Sequence, residues 1–247
     1  MTTAPLVRRE HDRGVAVLTL DSPHNRNALS ARLVRELTGE LAAAARDTAT
    51  RAILLTHTGG TFCAGADLRE AGAAADGPRQ LVDLLRAIAE TPKPVVAAVR
   101  GHARAGGLGL IAACDIAVAT AAATFAFTEV RLGLAPAVIS LPVLARADPR
   151  AVARYFLTGE TFGADEAVAM GLVTAPEEAL EAILAGLRAG SPQGLAESKA
   201  LTTGPLLAAL DERGAEVVEV SARLFGSAEA AEGMRAFLDK RKPSWTP

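Results

Sequence analysis

The sequence predicts an α/β fold that continues into helices alone towards the carboxyl terminus. Short runs of apolar and β-branched residues alternate with segments whose apolar residues recur every three or four positions, as strands and amphipathic helices require. From about residue 191 onward only the helical spacing remains. The chain has 247 residues, 50% of them hydrophobic and 22% charged, which suffices for a large core without disulfide or metal support.

Strands and helices alternate in the first 120 residues. Residues 14–20 predict a strand, and residues 7–10 form its predicted hairpin partner. Ser30 is a suitable N-cap for a helix that carries leucines at positions 33, 37 and 41 on one face. The next predicted elements are, in order, a strand at residues 51–56, a mobile connection at 71–78, a helix at 80–90, a strand at 94–99, a short helix ending at 113 and a strand at 115–119.

Beyond residue 136 the predicted elements are mostly helices. Asp165 and Glu166 favour the first turn of a helix because carboxylates stabilise its positive end, and Gly171 suits the position just past its last residue. Leu172 and Val173 predict one last short strand. Further helices are predicted at residues 180–187, from Pro205 to residue 225, and at 229–240.

Charge and composition exclude several kinds of partner and location. The formal net charge is −2 and the isoelectric point about 6.1, so the chain lacks the broad basic surface typical of nucleic-acid binding. Cys63 and Cys114 make no disulfide framework and suit a reducing cytosol. The first residues lack an apolar leader of the secretory type, and the apolar run 108–127 contains Asp115, which disfavours a membrane span. We therefore expect a cytoplasmic protein that binds neither nucleic acid nor membranes.

The sequence contains no motif for a metal or a nucleotide cofactor. The four histidines are scattered without an HExxH pattern, and no cysteine pair has the spacing of a zinc site. A GxSxG motif, a phosphate-binding loop and a dinucleotide fingerprint are also absent. We therefore expect no metal and no bound cofactor.

Two glycine-rich segments that follow predicted strands are the main candidates for a functional site. They occupy residues 57–68 and 100–109. Small residues let a ligand approach the backbone closely, and unpaired N–H groups in such turns point outward. Two of these turns in one domain can supply two N–H donors to a single oxygen atom, which is an oxyanion hole. The same residues are equally compatible with two tight turns that only connect neighbouring elements.

Six segments, in order along the chain, resemble motifs of the enoyl-CoA hydratase/isomerase (crotonase) superfamily. They are residues 26–30 (RNALS), 62–68 (FCAGADL), 98–107, 113–116, 127–134 (FTEVRLGL) and 232–245. The resemblance implies an α/β fold with a crotonase-like spiral core of ββα units, residues 1–190, and a helical C-terminal trimerisation region, residues 191–247. It also implies an acyl-CoA thioester as substrate, no metal or redox cofactor, and assembly into a homotrimer or a dimer of trimers.

The resemblance also assigns site residues. The two oxyanion donors fall on the backbone N–H groups of Ala64 and Gly106, and Glu129 falls on a glutamate that carries a proton. Phe237 and Lys240 fall on residues that reach CoA bound to a neighbouring subunit. The other positions that the resemblance assigns to substrate binding are Arg26, Ala28, Gly65, Ala66, Asp67, Leu68 and Gly109.

One position departs from the two-glutamate pattern of hydratases in this family. The first glutamate falls on Gly109, so Glu129 is the sole inherited acid–base group. The glycine either serves close backbone packing against a neighbouring element or leaves space for a branched or bulky acyl chain, and we expect the second. The first hypothesis is an enoyl-CoA hydratase that uses Glu129, and the second is a Δ3,Δ2-enoyl-CoA isomerase that uses Glu129 alone. The third is an acyl-CoA-binding protein without catalysis.

Two charged residues near these motifs have more than one interpretation. Glu129 is either the proton carrier or a surface carboxylate that pairs with Arg131, two residues further on. Arg104 occupies a position where the family usually has an apolar residue. It either meets a substrate carboxylate or a CoA phosphate, or faces the solvent.

Overall fold

The computed structural model describes residues 4–70 and 76–247, in which strands and helices alternate as the sequence predicts. The strands are β1 (Val7–Asp12), β2 (Val15–Leu20), β3 (Ala52–His57), β4 (Thr61–Cys63), β5 (Val95–Val99), β6 (His102–Arg104), β7 (Ile116–Ala119), β8 (Thr124–Ala126), β9 (Phe162–Gly163) and β10 (Ala175–Pro176). The helices are α1 (Ala31–Arg46), α2 (Gly77–Glu90), α3 (Gly106–Ala113), α4 (Ala137–Arg146), α5 (Pro149–Thr158), α6 (Ala164–Ala169), α7 (Leu180–Ala189), α8 (Pro192–Phe225) and α9 (Ala228–Leu238). A short 3₁₀ helix, Glu129–Leu132, follows β8.

A six-stranded sheet forms the centre of the core, in the order β1-β2-β3-β5-β7-β10. Its strands run parallel except for β1, which pairs antiparallel with β2. Every residue of β3 and β5 is buried, as expected for strands covered on both faces. Asp12 pairs with Val15, so the hairpin turns on Arg13 and Gly14, which both have the positive φ of a type I′ turn.

A second sheet, in the order β4-β6-β8-β9, is built from short strands, and the first three each follow a strand of the first sheet. β4 follows β3, β6 follows β5 and β8 follows β7, and these three short strands pair in parallel. Helices α2 and α3 complete two of these units, so consecutive ββα units wind into the predicted spiral. The fold class is confirmed. β4 and β6 lie inside the two glycine-rich segments, where three residues are too few to show a strand periodicity.

The predicted start of the long C-terminal helix at Pro205 is wrong. α8 begins at Pro192, where the hydroxyl of Ser191 caps it by accepting from the N–H of Gly194. Pro205 lies inside the helix, and the carbonyl that it leaves without a helical donor belongs to Leu201. The side chain of Leu201 is 85% exposed in the single chain, so this face of the helix does not pack against the core.

The predicted strand at Leu172 and Val173 is also wrong. Both residues donate their N–H groups to the carbonyl of Ala167 and so close the end of α6, and β10 pairs with β7 instead. Several helix ends differ slightly: α2 begins at residue 77 rather than 80, α7 ends at 189 rather than 187, and α9 spans 228–238 rather than 229–240. Residues 71–75 of the predicted connection lie outside the described residues.

A buried ion pair fastens α8 to the core, where the helix packs on α2 and α4. Lys199 Nζ lies 2.8 Å from Asp115 Oδ2, and it also donates to the carbonyl of Ile88 at 2.8 Å.

The division of the chain at residue 190 stays a prediction. In the described part of the chain, no helix combines the length and the apolar character needed to cross a membrane.

Candidate active site

The two glycine-rich segments meet at the amino end of α3. Gly65 has a φ of +86°, and a Cβ atom at this position would lie 2.8 Å from the Cβ atom of Ala105. A Cβ atom at Gly106 would lie 2.8 Å from Leu29 Cδ1 and 3.7 Å from the Cα atom of Gly65. Glycine at positions 65 and 106 therefore lets the two backbones approach each other closely.

The backbone N–H groups at this junction differ in whether they are already bonded. The N–H of Ala64 donates to the carbonyl of Arg26 at 3.1 Å, so the prediction that Ala64 is an oxyanion donor is wrong. The N–H groups of Ala66 and Gly106 make no hydrogen bond to any residue within 4–70 or 76–247. Gly106 begins α3, where N–H groups have no helical acceptor and the helix dipole is positive. Ala66 and Gly106 therefore each offer a free N–H group at the junction.

A bridge to Leu29 explains why the N–H of Ala66 is free. Leu29 donates to the carbonyl of Gly65 at 2.8 Å and accepts from the N–H of Asp67 at 3.4 Å, so the bridge uses the groups on either side of Ala66. Nothing within the motif itself shows which N–H stays free. Bonds to Arg26 and Leu29, far away in the chain, decide it.

A cavity of about 910 Å³ opens beside this junction. The volume is in the range of sites that enclose small molecules. The predicted catalytic and substrate-binding residues that line the cavity are Arg26, Ala28, Ala64, Ala66, Asp67, Leu68, Gly106, Glu129 and Phe237. Gly65, Gly109 and Lys240 are not among its lining residues.

Glu129 is the first residue of the 3₁₀ helix and is only 9% exposed. Its Oε2 atom is buried without a hydrogen-bond partner among the described residues. Burial raises the pKa of its carboxyl group from the ordinary 4.5 to about 7. Arg131 does not pair with Glu129, because its Nε atom donates to the carbonyl of Thr158 at 3.4 Å. A buried carboxyl group with a pKa near neutrality is suited to taking up and releasing a proton.

Gly109 does not open the space predicted for it. A Cβ atom at this position would lie 2.5 Å from Ile139 Cγ2 and 3.0 Å from Ile139 Cβ. Ile139, on α4, is buried and lines the cavity, so its side chain fills the volume over the glycine. The prediction of room for a bulky acyl chain at this point is therefore wrong, and Gly109 serves the close packing of α3 on α4.

Helices α8 and α9 of the same chain supply part of the cavity wall. Phe237 lines the cavity of its own chain, whereas the sequence prediction placed it on CoA bound to a neighbouring subunit. Lys240 is exposed and lies two residues past the end of α9. Ser221, Ala222 and Phe225 of α8 also line the cavity. Sequence reasoning did not select these three for binding, because helical spacing marks an apolar face without showing what that face meets.

Arg104 is half-buried and bonded along the second sheet. Its guanidinium donates to the carbonyls of Ala103 and Thr124, at 2.8 and 2.7 Å, and to Thr124 Oγ1 at 2.9 Å. Burial lowers the pKa of Arg104. The guanidinium is therefore held by β8 and does not extend freely into solvent.

Comparisons with known proteins place these features in a family. Residues 10–247 match the family described as enoyl-CoA hydratase/isomerase. The chain belongs to the enoyl-CoA hydratase/isomerase family. A probable enoyl-CoA hydratase of Rhodobacter capsulatus is 36% identical over 97% of this chain and 97% of its own. The mevalonyl-coenzyme A hydratase of Aspergillus fumigatus is 33% identical over 94% of this chain and 92% of its own.

A solved structure extends the similarity to three dimensions. The crystal structure of an enoyl-CoA hydratase from Mycobacterium avium matches with a TM-score of 0.92 and 50% sequence identity, over 99% of this chain and 100% of that one. Enzymes of the enoyl-CoA hydratase/isomerase family act on acyl-CoA thioesters. Two free N–H groups beside a helix amino end can bind the oxygen of a thioester, and a buried carboxyl group in the same cavity can move a proton at the adjacent carbon.

Proposed function

We propose that this protein is an enoyl-CoA hydratase, which adds water to a 2-enoyl-CoA thioester or removes it from the 3-hydroxyacyl-CoA. The observation that carries the proposal is the carboxyl group of Glu129. It is buried, its Oε2 atom has no partner among the described residues, and it lines the same cavity as Ala66 and Gly106. The names of the related hydratases support water addition as the reaction.

One acid–base group and one site for negative charge are sufficient for this reaction. The ionised carboxylate of Glu129 accepts a proton from water while the water oxygen bonds to the β-carbon. The electrons of the C=C bond move through the α-carbon to the thioester oxygen, where the N–H groups of Ala66 and Gly106 stabilise the enolate. Glu129 then donates its proton to the α-carbon, which restores the thioester and the ionised carboxylate.

An isomerase is the second candidate, and the packing of Ile139 on Gly109 favours it. Because a methyl group covers position 109, the neighbouring cavity wall is apolar and carries no second acid at this point. Glu129 alone could then take a proton from the α-carbon of a 3-enoyl-CoA and return it to the γ-carbon. The double bond moves from C3 to C2, and no water is consumed.

The two reactions are separated by the mass of the product. We expect crotonyl-CoA, a longer 2-enoyl-CoA or 3-methylglutaconyl-CoA to gain the mass of one water molecule during incubation with the enzyme. A 3-enoyl-CoA that becomes a conjugated 2-enoyl-CoA without a change in mass, with no water addition to the others, would favour the isomerase. If none of the four thioesters is converted, both the hydratase and the isomerase proposals are contradicted.

The role of Glu129 is tested by Glu129→Gln, which preserves shape and removes basicity. General acid–base groups contribute about 10²–10⁴-fold, so we expect a loss of kcat in that range. The matched control is Glu70→Gln, since Glu70 also lines the cavity but binds the N–H of Ala31 through Oε2 at 2.9 Å. The control should keep kcat, and an undiminished kcat in Glu129→Gln would remove Glu129 from the mechanism.

The oxyanion donors are tested by comparing two proline variants of one loop. Ala66→Pro removes a free N–H, so kcat should fall about 10²–10³-fold while the fold is retained. Ala64→Pro removes the N–H that donates to Arg26, so its first effect should be a lower melting temperature. Full activity in a folded Ala66→Pro protein would show that this N–H does not bind the enolate.

We also propose that the chain assembles into a homotrimer or a dimer of trimers. The side chains of Leu157 and Leu201 are 76% and 85% exposed in the single chain, and contact with other copies would bury such apolar surface. Light scattering coupled to size exclusion should give the mass of three or six chains. The mass of one chain would contradict the proposal.

A further inference from the structure

Helix α9 and the 3₁₀ helix Glu129–Leu132 contact each other through backbone atoms at two glycines. A Cβ atom at Gly233, on α9, would lie 2.5 Å from both the carbonyl carbon and the carbonyl oxygen of Leu132. A Cβ atom at Gly133, directly after the 3₁₀ helix, would lie 2.7 Å from the carbonyl carbon of Glu229 on α9. Rotating a side chain cannot relieve either contact, because the atoms that would be struck belong to the backbone.

Gly133, which α9 covers, is hydrogen-bonded to the backbone of Glu129. Gly133 has a φ of +71°, and its N–H donates to the carbonyl of Glu129. The same carbonyl accepts from the N–H of Leu134 at 3.0 Å. Since the Oε2 atom of Glu129 has no partner among the described residues, that end of the carboxyl group is placed by the backbone and by packing. A displacement of α9 against the 3₁₀ helix is therefore transmitted to the Glu129 carboxyl group.

α9 meets the cavity as well as the 3₁₀ helix. Phe237 and Leu238, about one turn after Gly233, line the cavity wall. We infer that Gly233 is a positioning residue: by carrying no side chain it lets α9 seat on Leu132 and sets the place of Glu129 relative to the free N–H groups. The inference rests on the proposed function, which makes Glu129 the proton carrier.

The first test is Gly233→Ala, with two alanine–glycine controls. The added methyl group must push Leu132 away, and a misplacement of about 1 Å in a reacting group can lower the rate about 10²-fold. Gly186→Ala, in α7, is the control for a helical glycine whose Cβ position has no described atom within 4 Å beyond its chain neighbours and its own helix backbone. Ala231→Gly is the control for a weaker α9, because residue 231 is exposed and the change adds no atom.

We expect Gly233→Ala to lower kcat on crotonyl-CoA about 10²-fold with a smaller change in KM. The acid limb of its pH–rate profile should also move to lower pH, because a displaced carboxyl group is better hydrated and its pKa returns towards the ordinary value. Both controls should keep the parent kcat and pH profile. If the Gly233→Ala protein is folded and keeps the parent kcat and pH profile, the inference is overturned.

A second measurement applies if Gly233→Ala does not fold. Hydrogen exchange is compared in the parent and in Ala231→Gly, whose weaker helix should open about fivefold more often. If α9 holds the 3₁₀ helix, the N–H groups of Arg131 and Leu134, which bond to the carbonyls of Thr128 and Glu129, should exchange faster by a similar factor. Faster exchange in α9 with unchanged exchange at these two groups would overturn the inference.

The result of Glu129→Gln separates this inference from the proposed function. If Glu129→Gln keeps the parent kcat, the proposed function fails and the role of Gly233 falls with it. If Glu129→Gln loses kcat while a folded Gly233→Ala keeps it, the proposed function stands and only the positioning role fails.

Discussion

The contact between Gly109 and Ile139 makes a prediction that can be measured as an interaction energy. Gly109→Ala places a Cβ atom 2.5 Å from Ile139 Cγ2, whereas ordinary contacts begin at 3.4 Å. The side chain or helix α4 must therefore move by about 1 Å, and overpacking of this kind costs about 1–3 kcal/mol. Alanine also gains up to about 1 kcal/mol over glycine inside a helix. We expect Gly109→Ala to lower the free energy of unfolding by about 1–2 kcal/mol.

A double-mutant cycle isolates the contact itself. Ile139→Ala alone should cost about 2–5 kcal/mol, as is typical for buried isoleucine. In that background the nearest atom to the new methyl group is Cβ at 3.0 Å, so most of the clash disappears and Gly109→Ala should become neutral or stabilising. The two substitutions should therefore couple by about 1–3 kcal/mol, measured by urea denaturation of all four proteins.

The matched control is Gly39→Ala, in the interior of α1, where the Cβ position has no described atom within 4 Å beyond its chain neighbours and its own helix backbone. It should raise stability by up to about 1 kcal/mol in both backgrounds, because only helix propensity changes. An equal effect of Gly109→Ala with and without the Ile139 side chain would contradict the packing described for this wall. It would also restore the hypothesis that Gly109 leaves space for the acyl chain of the substrate.

Three further predictions concern stability. The pKa of Glu129 is raised in the folded state, so its stabilising effect is full below pH 4.5 and is lost as the pH rises through about 7. Between these limits the free energy of unfolding of Glu129→Gln, measured by urea denaturation, should therefore rise by about 3 kcal/mol relative to the parent. A constant difference would contradict the burial of this carboxyl group. Lys199→Met should cost about 3–5 kcal/mol because it leaves Asp115 buried and unpaired, and Lys199→Met with Asp115→Asn should recover part of the loss in the same measurement. Asn27 is fully buried and binds one backbone N–H and two carbonyls. Asn27→Ala leaves these groups unsatisfied at a cost of about 1–3 kcal/mol each, so the melting temperature should fall markedly. An unchanged melting temperature would contradict those bonds.

The errors in the element boundaries have specific physical causes. Pro205 has the properties of a helix start, yet Ser191 and Pro192 already provide a cap and a first turn upstream. Leu172 and Val173 are apolar and buried as strand residues are, but their N–H groups are used to close α6. In the first case a cap at the start of the same helix overrules the local preference, and in the second hydrogen bonds to the end of α6 overrule it.

The α/β alternation and the family motifs could be recognised in the sequence because both depend on local order, and the resemblance carried by those motifs implied the spiral arrangement. Apolar periodicity marks an element wherever it occurs, and the motifs follow one another along the chain. Glu129 and Gly106 could be selected on this basis, and the structure brings both to one cavity.

The remaining features of the site depend on contacts between elements that are distant in the chain. The bond to Arg26 takes the N–H of Ala64 and leaves that of Ala66 free, and Ile139 fills the space over Gly109. Burial raises the pKa of Glu129, and Gly233 seats α9 beside it. No periodicity encodes these features, because each requires the whole fold to bring distant parts of the chain together.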